Sequence, residues 1–318
     1  MRRGLVGVLA VAVAVLGGEG RGLTQSGRAG DGNLTYARGQ GVVPIYQGWT
    51  ENADGSFDMH FSYINQNWVE EVDLPIGPTN NLSPAPFGPD GGQPTHFLPR
   101  ENRWQFTVRV PKDFGPKEVV WTLTAHGQTN RAYGELQPGY AMDDTLIQFE
   151  FGGQSIPGRK PPTVKVEGEL SRTVKVGQAS PLVAVATDVV LPQRGGGRAA
   201  GGGGRGRGAA APAGPTEVGP GTVGGDFIRS TATGLRLAWF VYRGAGQVTF
   251  DPPMPFKVWE DQRGGSPWAP GFRVPPVPPD NRWTYTVTFH APGTYVLRAL
   301  AHTGSTFASQ DVTFLVTP

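Results

Sequence analysis

The sequence predicts an all-β protein built from two tandem β-sandwich domains. Three observations lead there. Glycine and proline supply 48 and 30 of the 318 residues, and both break helix interiors. Apolar residues recur at every second position in short segments bounded by turn residues, which is the pattern of half-buried strands. No segment keeps helical periodicity for more than about two turns. An aromatic content of 10% supplies the apolar mass that wholly disordered chains lack.

The elements follow in order. Residues 1–22 read as a signal peptide: Arg2 and Arg3 precede an apolar run from Leu5 to Leu16, shorter than the roughly 20 residues a spanning helix needs. Residues 23–40 are polar and glycine-rich and are expected to be flexible. The first sandwich is placed at 41–152. Asn52-Ala-Asp54-Gly55 is a hairpin turn, with Asp-Gly supplying positive φ angles. Phe57, Met59, Phe61 and Tyr63 then alternate with polar residues. Trp104, Phe106, Val108 and Val110 do the same, followed by Val119, Trp121, Leu123 and Ala125. Ile147, Phe149 and Phe151 close this half with the same spacing.

Residues 153–162, with prolines and glycines, form a linker. The second sandwich is placed at 163–318, with short strands at Val164–Val166, Val174–Val176 and Leu182–Ala186. Residues 192–225 are rich in glycine, alanine and arginine and cannot bury a core, so a disordered insertion is expected there. Strands resume at Leu235–Val241, Val248–Phe250, Trp283–Phe289, Tyr295–Ala301 and Val312–Val316.

The two halves share an order of features that suggests an internal duplication. Asn102-Arg103-Trp104 matches Asn281-Arg282-Trp283, and Ala125-His126 matches Ala301-His302. The strand ending at Tyr63-Ile64 aligns with the one ending at Val241-Tyr242, and Asp73-Leu74-Pro75 with Asp251-Pro252. Each half's tryptophan is expected to plug its sandwich core, as large aromatics do.

The segment from Ala291-Pro-Gly-Thr-Tyr295 through Asp311-Val-Thr-Phe-Leu-Val-Thr317 resembles the last two strands of bacterial immunoglobulin-like and PKD-like domains. It departs from the PKD pattern at His302-Thr303-Gly304, where that family carries acidic residues. The resemblance covers the end of the chain only. It implies a binding or spacer module in an exported protein, and no catalytic residues; together with the repeat it leads to the expectation of two tandem immunoglobulin-like β-sandwich domains. The first half resembles no characterised family.

Composition narrows the function further. The absence of cysteine excludes disulfides, zinc-thiolate sites and cysteine nucleophiles. The net charge of +2 comes from arginines in the leader and the glycine tract. The remainder is mildly acidic and has no basic footprint for nucleic acid. None of the five histidines, His60, His96, His126, His290 and His302, has a helical metal-site spacing. Glu70-Glu71 and Asp143-Asp144 are neighbours that point apart if they lie in strands. No nucleophile elbow, phosphate loop or dinucleotide fingerprint occurs, and no cofactor or metal is expected.

The candidate ligand-binding residues lie on loops, where binding residues concentrate. They are His96, Arg100 and Arg103 in the proline-rich stretch before Trp104, together with Trp68, Trp259 and Trp268. The expected function is that of an exported, periplasmic or extracellular, non-enzymatic binding or assembly module of the envelope. Its partner would be an envelope protein or glycan. Two alternatives are a carbohydrate-binding module using the loop tryptophans and a hydrolase centred on His96 and Arg100.

Overall fold

The computed structural model describes residues 36–150, 156, 158–188, 234–258 and 274–318, without the side chains of 149 and 150. The leader, the insertion at 192–225, Trp259 and Trp268 lie outside the described residues. Among the described residues no helix is long and apolar enough to cross a membrane.

The second half shows the architecture most plainly. Its strands are β9 (Thr163–Val166), β10 (Ser171–Lys175), β11 (Ser180–Thr187), β12 (Arg236–Arg243), β13 (Val248–Asp251), β14 (Arg282–Phe289), β15 (Gly293–His302) and β16 (Phe307–Thr317). One sheet has the order β9-β11-β14-β13 and the other β12-β15-β16-β10. All pairs are antiparallel except β10 with β16. These are the ABED and CFG sheets of an immunoglobulin-like sandwich, with β10 added beside the last strand. Two further hallmarks agree. Trp239 on the third strand, β12, is buried between the sheets. Tyr295, near the start of β15, shares its one hydroxyl proton between the backbone oxygens of Ala245 and Ala291, at 2.7 and 3.0 Å, making a tyrosine corner. With no cysteine available, apolar side chains such as Leu182, Ala184 and Leu297 fill the space between the sheets.

The first half repeats the plan. They are β1 (Val42–Glu51), β2 (Phe57–Asn65), β3 (Val72–Asp73), β4 (Asn80–Ser83), β5 (His96–Phe97), β6 (Arg100–Val110), β7 (Val119–Ala125) and β8 (Gln128–Gly134). β1-β2-β6 faces β4-β7-β8, and β3 and β5 form a separate ribbon. The turn at Asp54-Gly55 joins β1 to β2, with Gly55 at φ +79°. The core is aromatic: Phe61 stacks on Phe106 at 5.2 Å, and Trp121 meets Phe106 edge-on at 4.8 Å.

Strand order refines the duplication. β6 and β14 hold the same place in their sandwiches, so the two Asn-Arg-Trp triplets are topologically matched, as are the Ala-His pairs ending β7 and β15. The other two alignments do not hold. Tyr63-Ile64 ends the second strand of one sandwich, whereas Val241-Tyr242 ends the third of the other. Asp73 pairs within the β3–β5 ribbon, and Asp251 pairs with β14.

Two expectations are corrected. Trp283 does sit in the second core, but Trp104 does not sit in the first, where Trp121 takes that role. The reason is a bulge: Ser62 on β2 opposes the three residues Arg103–Gln105 on β6. Trp104 takes φ +54° there, a genuine outlier for a bulky residue, and its N–H donates to Ser62 Oγ at 2.8 Å. The indole lands on the outer face, edge-on to His60 at 5.1 Å. The second correction concerns Ile147 and Phe149, which lie on a helix, α1 (Asp144–Glu150), rather than a strand. Asp143 starts that helix by accepting the Leu146 N–H at 2.8 Å, the bond an N-cap makes.

Both cores belong to one compact unit, Thr35–Pro318.

Candidate functional site

β12 is buried on both faces. Leu237, Trp239 and Val241 enter the second core, while Phe240 and Tyr242 point out and pack with Leu98 of the first sandwich. Polar bonds surround this contact. The Arg243 guanidinium forks the Asp90 carboxylate at 2.7 and 3.0 Å, and its Nε donates to the Gln93 carbonyl. Tyr242 donates its hydroxyl to the Gly92 carbonyl at 2.6 Å, and its own carbonyl accepts the Thr95 N–H at 3.2 Å. Arg298 on β15 lies 3.5 Å from the centre of the Tyr242 ring, forks Asp311 at 2.7 and 2.8 Å, and donates to the Gln105 carbonyl at 2.5 Å. A planar guanidinium can satisfy a carboxylate, a carbonyl and an aromatic face together. The junction is thus held by two arginines, each with several partners.

Two concavities flank it. The larger, about 720 Å³, is bordered by Glu71, Asp73 and His96 of the first sandwich and by Trp239, Phe256 and Lys257 of the second. The smaller, about 380 Å³, lies between β6, α1 and β16, with Trp104, Thr107, Gln148, Arg159, Phe307 and Ser309 on its walls.

The structure separates the residues singled out from the sequence. His96 is buried at the rim of the larger concavity, with Nδ1 2.7 Å from Asp73 and Nε2 3.1 Å from Glu71. Arg100, at φ +64°, stacks its guanidinium 4.1 Å over the Trp68 ring. Arg103 pairs with Glu101 at 3.0 Å. Glu70 turns away from Glu71 and reaches His126 at 3.1 Å. Among the described residues, no group of three or more His, Asp or Glu side chains is arranged to hold a metal ion.

With a carboxylate on each ring nitrogen, His96 is an imidazolium donating two hydrogen bonds. Burial opposes its charge, but the bonds to Asp73 and Glu71 prevail and raise its pKa from 6.5 to about 9. The same bond holds the Glu71 carboxyl below its usual range. His96 thus has no lone pair to offer as a base or ligand in the neutral range. His60 is the opposite case. Burial lowers it to about 4, and its nitrogens meet the hydroxyls of Thr50 and Thr107 at 2.9 and 3.2 Å. His302 is also held well below 6.5, by burial and then by Arg236.

These shifts set the pH dependence of stability. The unfolded chain releases the His96 proton near pH 6.5 and the folded chain near 9, so the clamp's contribution is complete below 6.5 and lost as pH rises through 9. Linkage gives about 3 kcal/mol as an upper bound, because both carboxylates are partly exposed. On the acid side, the unfolded chain takes up a proton at His60 that the folded chain does not, so stability also falls from pH 6.5 towards 4. Urea unfolding across this range should show a maximum near pH 6.5, with the alkaline limb flattened in His96→Gln. Identical alkaline limbs in the two proteins would refute the clamp.

Reading the sequence missed the junction residues Asp90, Tyr242, Arg243 and Arg298. A signal for them was present. Between the core positions of β12 stand Ala238, Phe240 and Tyr242, and a continuous apolar run marks a strand buried on both faces.

No protein-family model and no curated protein matches the chain. Solved structures do align with it, among them proteins with repeated immunoglobulin domains. The N-terminal eight Ig domains of Down Syndrome Cell Adhesion Molecule share 10% identity over 86% of this chain and 27% of that one, with a TM-score of 0.23. Sidekick-1 immunoglobulin domains 1–4 share 10% identity over 88% and 50%, with a TM-score of 0.22. The Yersinia pseudotuberculosis adhesin InvE shares 12% identity over 90% and 61%, with a TM-score of 0.23. The chain thus spans between about a quarter and three fifths of these structures. The fold assignment rests on the strand order above.

Proposed function

We propose that the chain is an exported, non-enzymatic binding and assembly module of the cell envelope or extracellular space. The observation that carries this reading is the junction. The Arg298–Tyr242 stack and the Arg243–Asp90 fork join the sandwiches into one body with concave surfaces on both sides. A rigid tandem presents a partner with an extended surface that needs little ordering on binding, and preorganisation raises affinity by cutting that cost. The Arg2–Leu16 leader supports export. The double engagement of His96 by carboxylates argues against the hydrolase alternative at that residue.

The test is co-sedimentation of the purified mature chain with the envelope fraction of its source cells, before and after protease treatment of that fraction. The full chain is expected to sediment with the envelope. Arg243→Asp is expected to weaken this by about tenfold, and adding Asp90→Arg, which reverses the pair, to restore it. Loss of binding after protease would identify a protein partner, and survival a glycan. Absence of binding to untreated envelopes, or turnover of an envelope polymer, would contradict the reading.

A further inference from the structure

We propose that the smaller junction pocket, with Trp104 in its wall and Thr107 and Ser309 at its edge, binds a neutral sugar residue. This rests on the reading of the chain as a binding module and names the ligand class of one of its surfaces.

The first argument is where Trp104 has gone. The alternation of β6 would place it in the core beside Phe106. Instead the bulge opposite Ser62 and a left-handed φ of +54° turn it outward into the pocket. Such strain costs about 1–3 kcal/mol and concentrates at ligand-binding positions. Trp104 nevertheless stays only 8% exposed, so its ring is a wall of a concavity rather than an open surface patch. The small exposed part of the indole supplies an apolar contact for the C–H groups of a pyranose ring.

The second argument is charge. The pocket contains two guanidinium groups, but both are committed. Arg298 is forked by Asp311, and Arg159 meets Asp188 at 2.6 Å. His60, on the wall beside Trp104, is uncharged at neutral pH because burial lowers its pKa to about 4. The pocket therefore has little uncompensated positive charge with which to select an anion, and the exposed Asp144 carboxylate on its lining repels one.

The third argument is the mixture of remaining groups. Thr107 and Ser309 are exposed hydroxyl side chains; Ser309 can donate and accept, and Thr107, which meets His60 Nδ1 at 3.2 Å, keeps its remaining capacity. Gln148 is buried, with its side-chain oxygen accepting the Ile156 N–H at 2.8 Å. Arg159 Nε is buried with no hydrogen-bond partner among the described residues. Ile147 and Phe307 complete the apolar lining. Aromatic walls with scattered neutral donors and acceptors match a molecule that carries hydroxyls around an apolar ring face. The volume of about 380 Å³ falls in the range of small-ligand pockets.

Saturation-transfer NMR on the full mature chain, with cellobiose, diacetylchitobiose and glucuronic acid as probes, tests this. At least one neutral disaccharide is expected to receive magnetisation. The double change Thr107→Val and Ser309→Ala is expected to weaken its binding by about tenfold, and Ser309→Ala alone, which leaves the Thr107–His60 contact intact, to weaken it less while leaving the thermal unfolding transition in place. Three results would overturn the proposal: no transfer to either neutral probe, binding of glucuronic acid alone, or unchanged binding by the double variant. Envelope co-sedimentation by the same proteins separates this failure from that of the broader reading. Envelope binding without sugar binding would remove the sugar site alone, whereas loss of both would remove the binding module.

Discussion

Trp121→Ala should cost about 3–5 kcal/mol, the largest single loss in the first sandwich. Trp121 is completely buried and makes edge-on contacts with Phe61 and Phe106. Removing a buried tryptophan forfeits its transfer free energy and leaves a cavity that neighbours only partly refill. A second loss adds to this. Trp121 Nε1 donates at 3.0 Å to Asn80 Oδ1, and Asn80, itself fully buried, uses its amide to hold the Leu74 and Pro94 carbonyls at 2.9 and 2.8 Å. Trp121→Phe isolates that second term. It should cost about 1–3 kcal/mol, because a buried acceptor is left unsatisfied while most of the volume remains. Chemical denaturation of the two variants measures both. Equal costs for the two would mean that the indole's hydrogen bond, and not its volume, carries the stability.

Arg298→Ala should cost about 3 kcal/mol and loosen the junction. The side chain bridges Asp311, the Gln105 carbonyl and the Tyr242 ring. Arg298 is mostly buried whereas the Asp311 side chain is 37% exposed, so solvent offsets part, but not all, of what the lost guanidinium supplied. Arg298→Lys should recover only part of the loss, because an ammonium cannot fork a carboxylate and stack at once. Calorimetry of the wild type should give one cooperative transition, and Arg298→Ala should separate it into two. If the variant keeps one transition at an unchanged temperature, Arg298 does not couple the sandwiches.

Much of the fold was legible from alternation alone. β2, β7, β9, β11, β12, β14 and β15 fall where apolar residues recur at every second position. β1 was not seen, because Pro44 and Gly48 interrupt it. It is an edge strand with a register shift between Tyr46 and Gly48, the setting in which sheets tolerate such residues. β8, with Gln128, Thr129, Asn130 and Arg131, carries too little apolar character to be read as a strand. The helix at Asp144–Glu150 was hidden because Ile147, Phe149 and Phe151 mimic strand spacing, and only the Asp143 cap reveals it.

The candidate site was less legible for a different reason. His96, Arg100 and Arg103 attracted notice as polar residues on a loop, yet each is engaged by a neighbour: His96 by Asp73 and Glu71, Arg100 by Trp68, Arg103 by Glu101. Those partners are set by tertiary contact and carry no spacing signal. Trp104 was placed in the core because period-two logic has no term for a bulge with a left-handed residue. The junction depends on residues about 150 positions apart, such as Asp90 and Arg243, and only the unbroken apolar run of β12 hinted at it.

The Arg298 and Arg243 contacts hold the two sandwiches as one body. Because the chain has no cysteine, spin labels can be placed at will. Lys117→Cys in the first sandwich and Lys175→Cys in the second both fall on exposed positions. Pulsed electron-spin distance measurement on this doubly labelled chain should return one narrow distribution, which broadens when Arg298→Ala is added. A broad or multiple distribution in the chain with Arg298 intact would contradict the account.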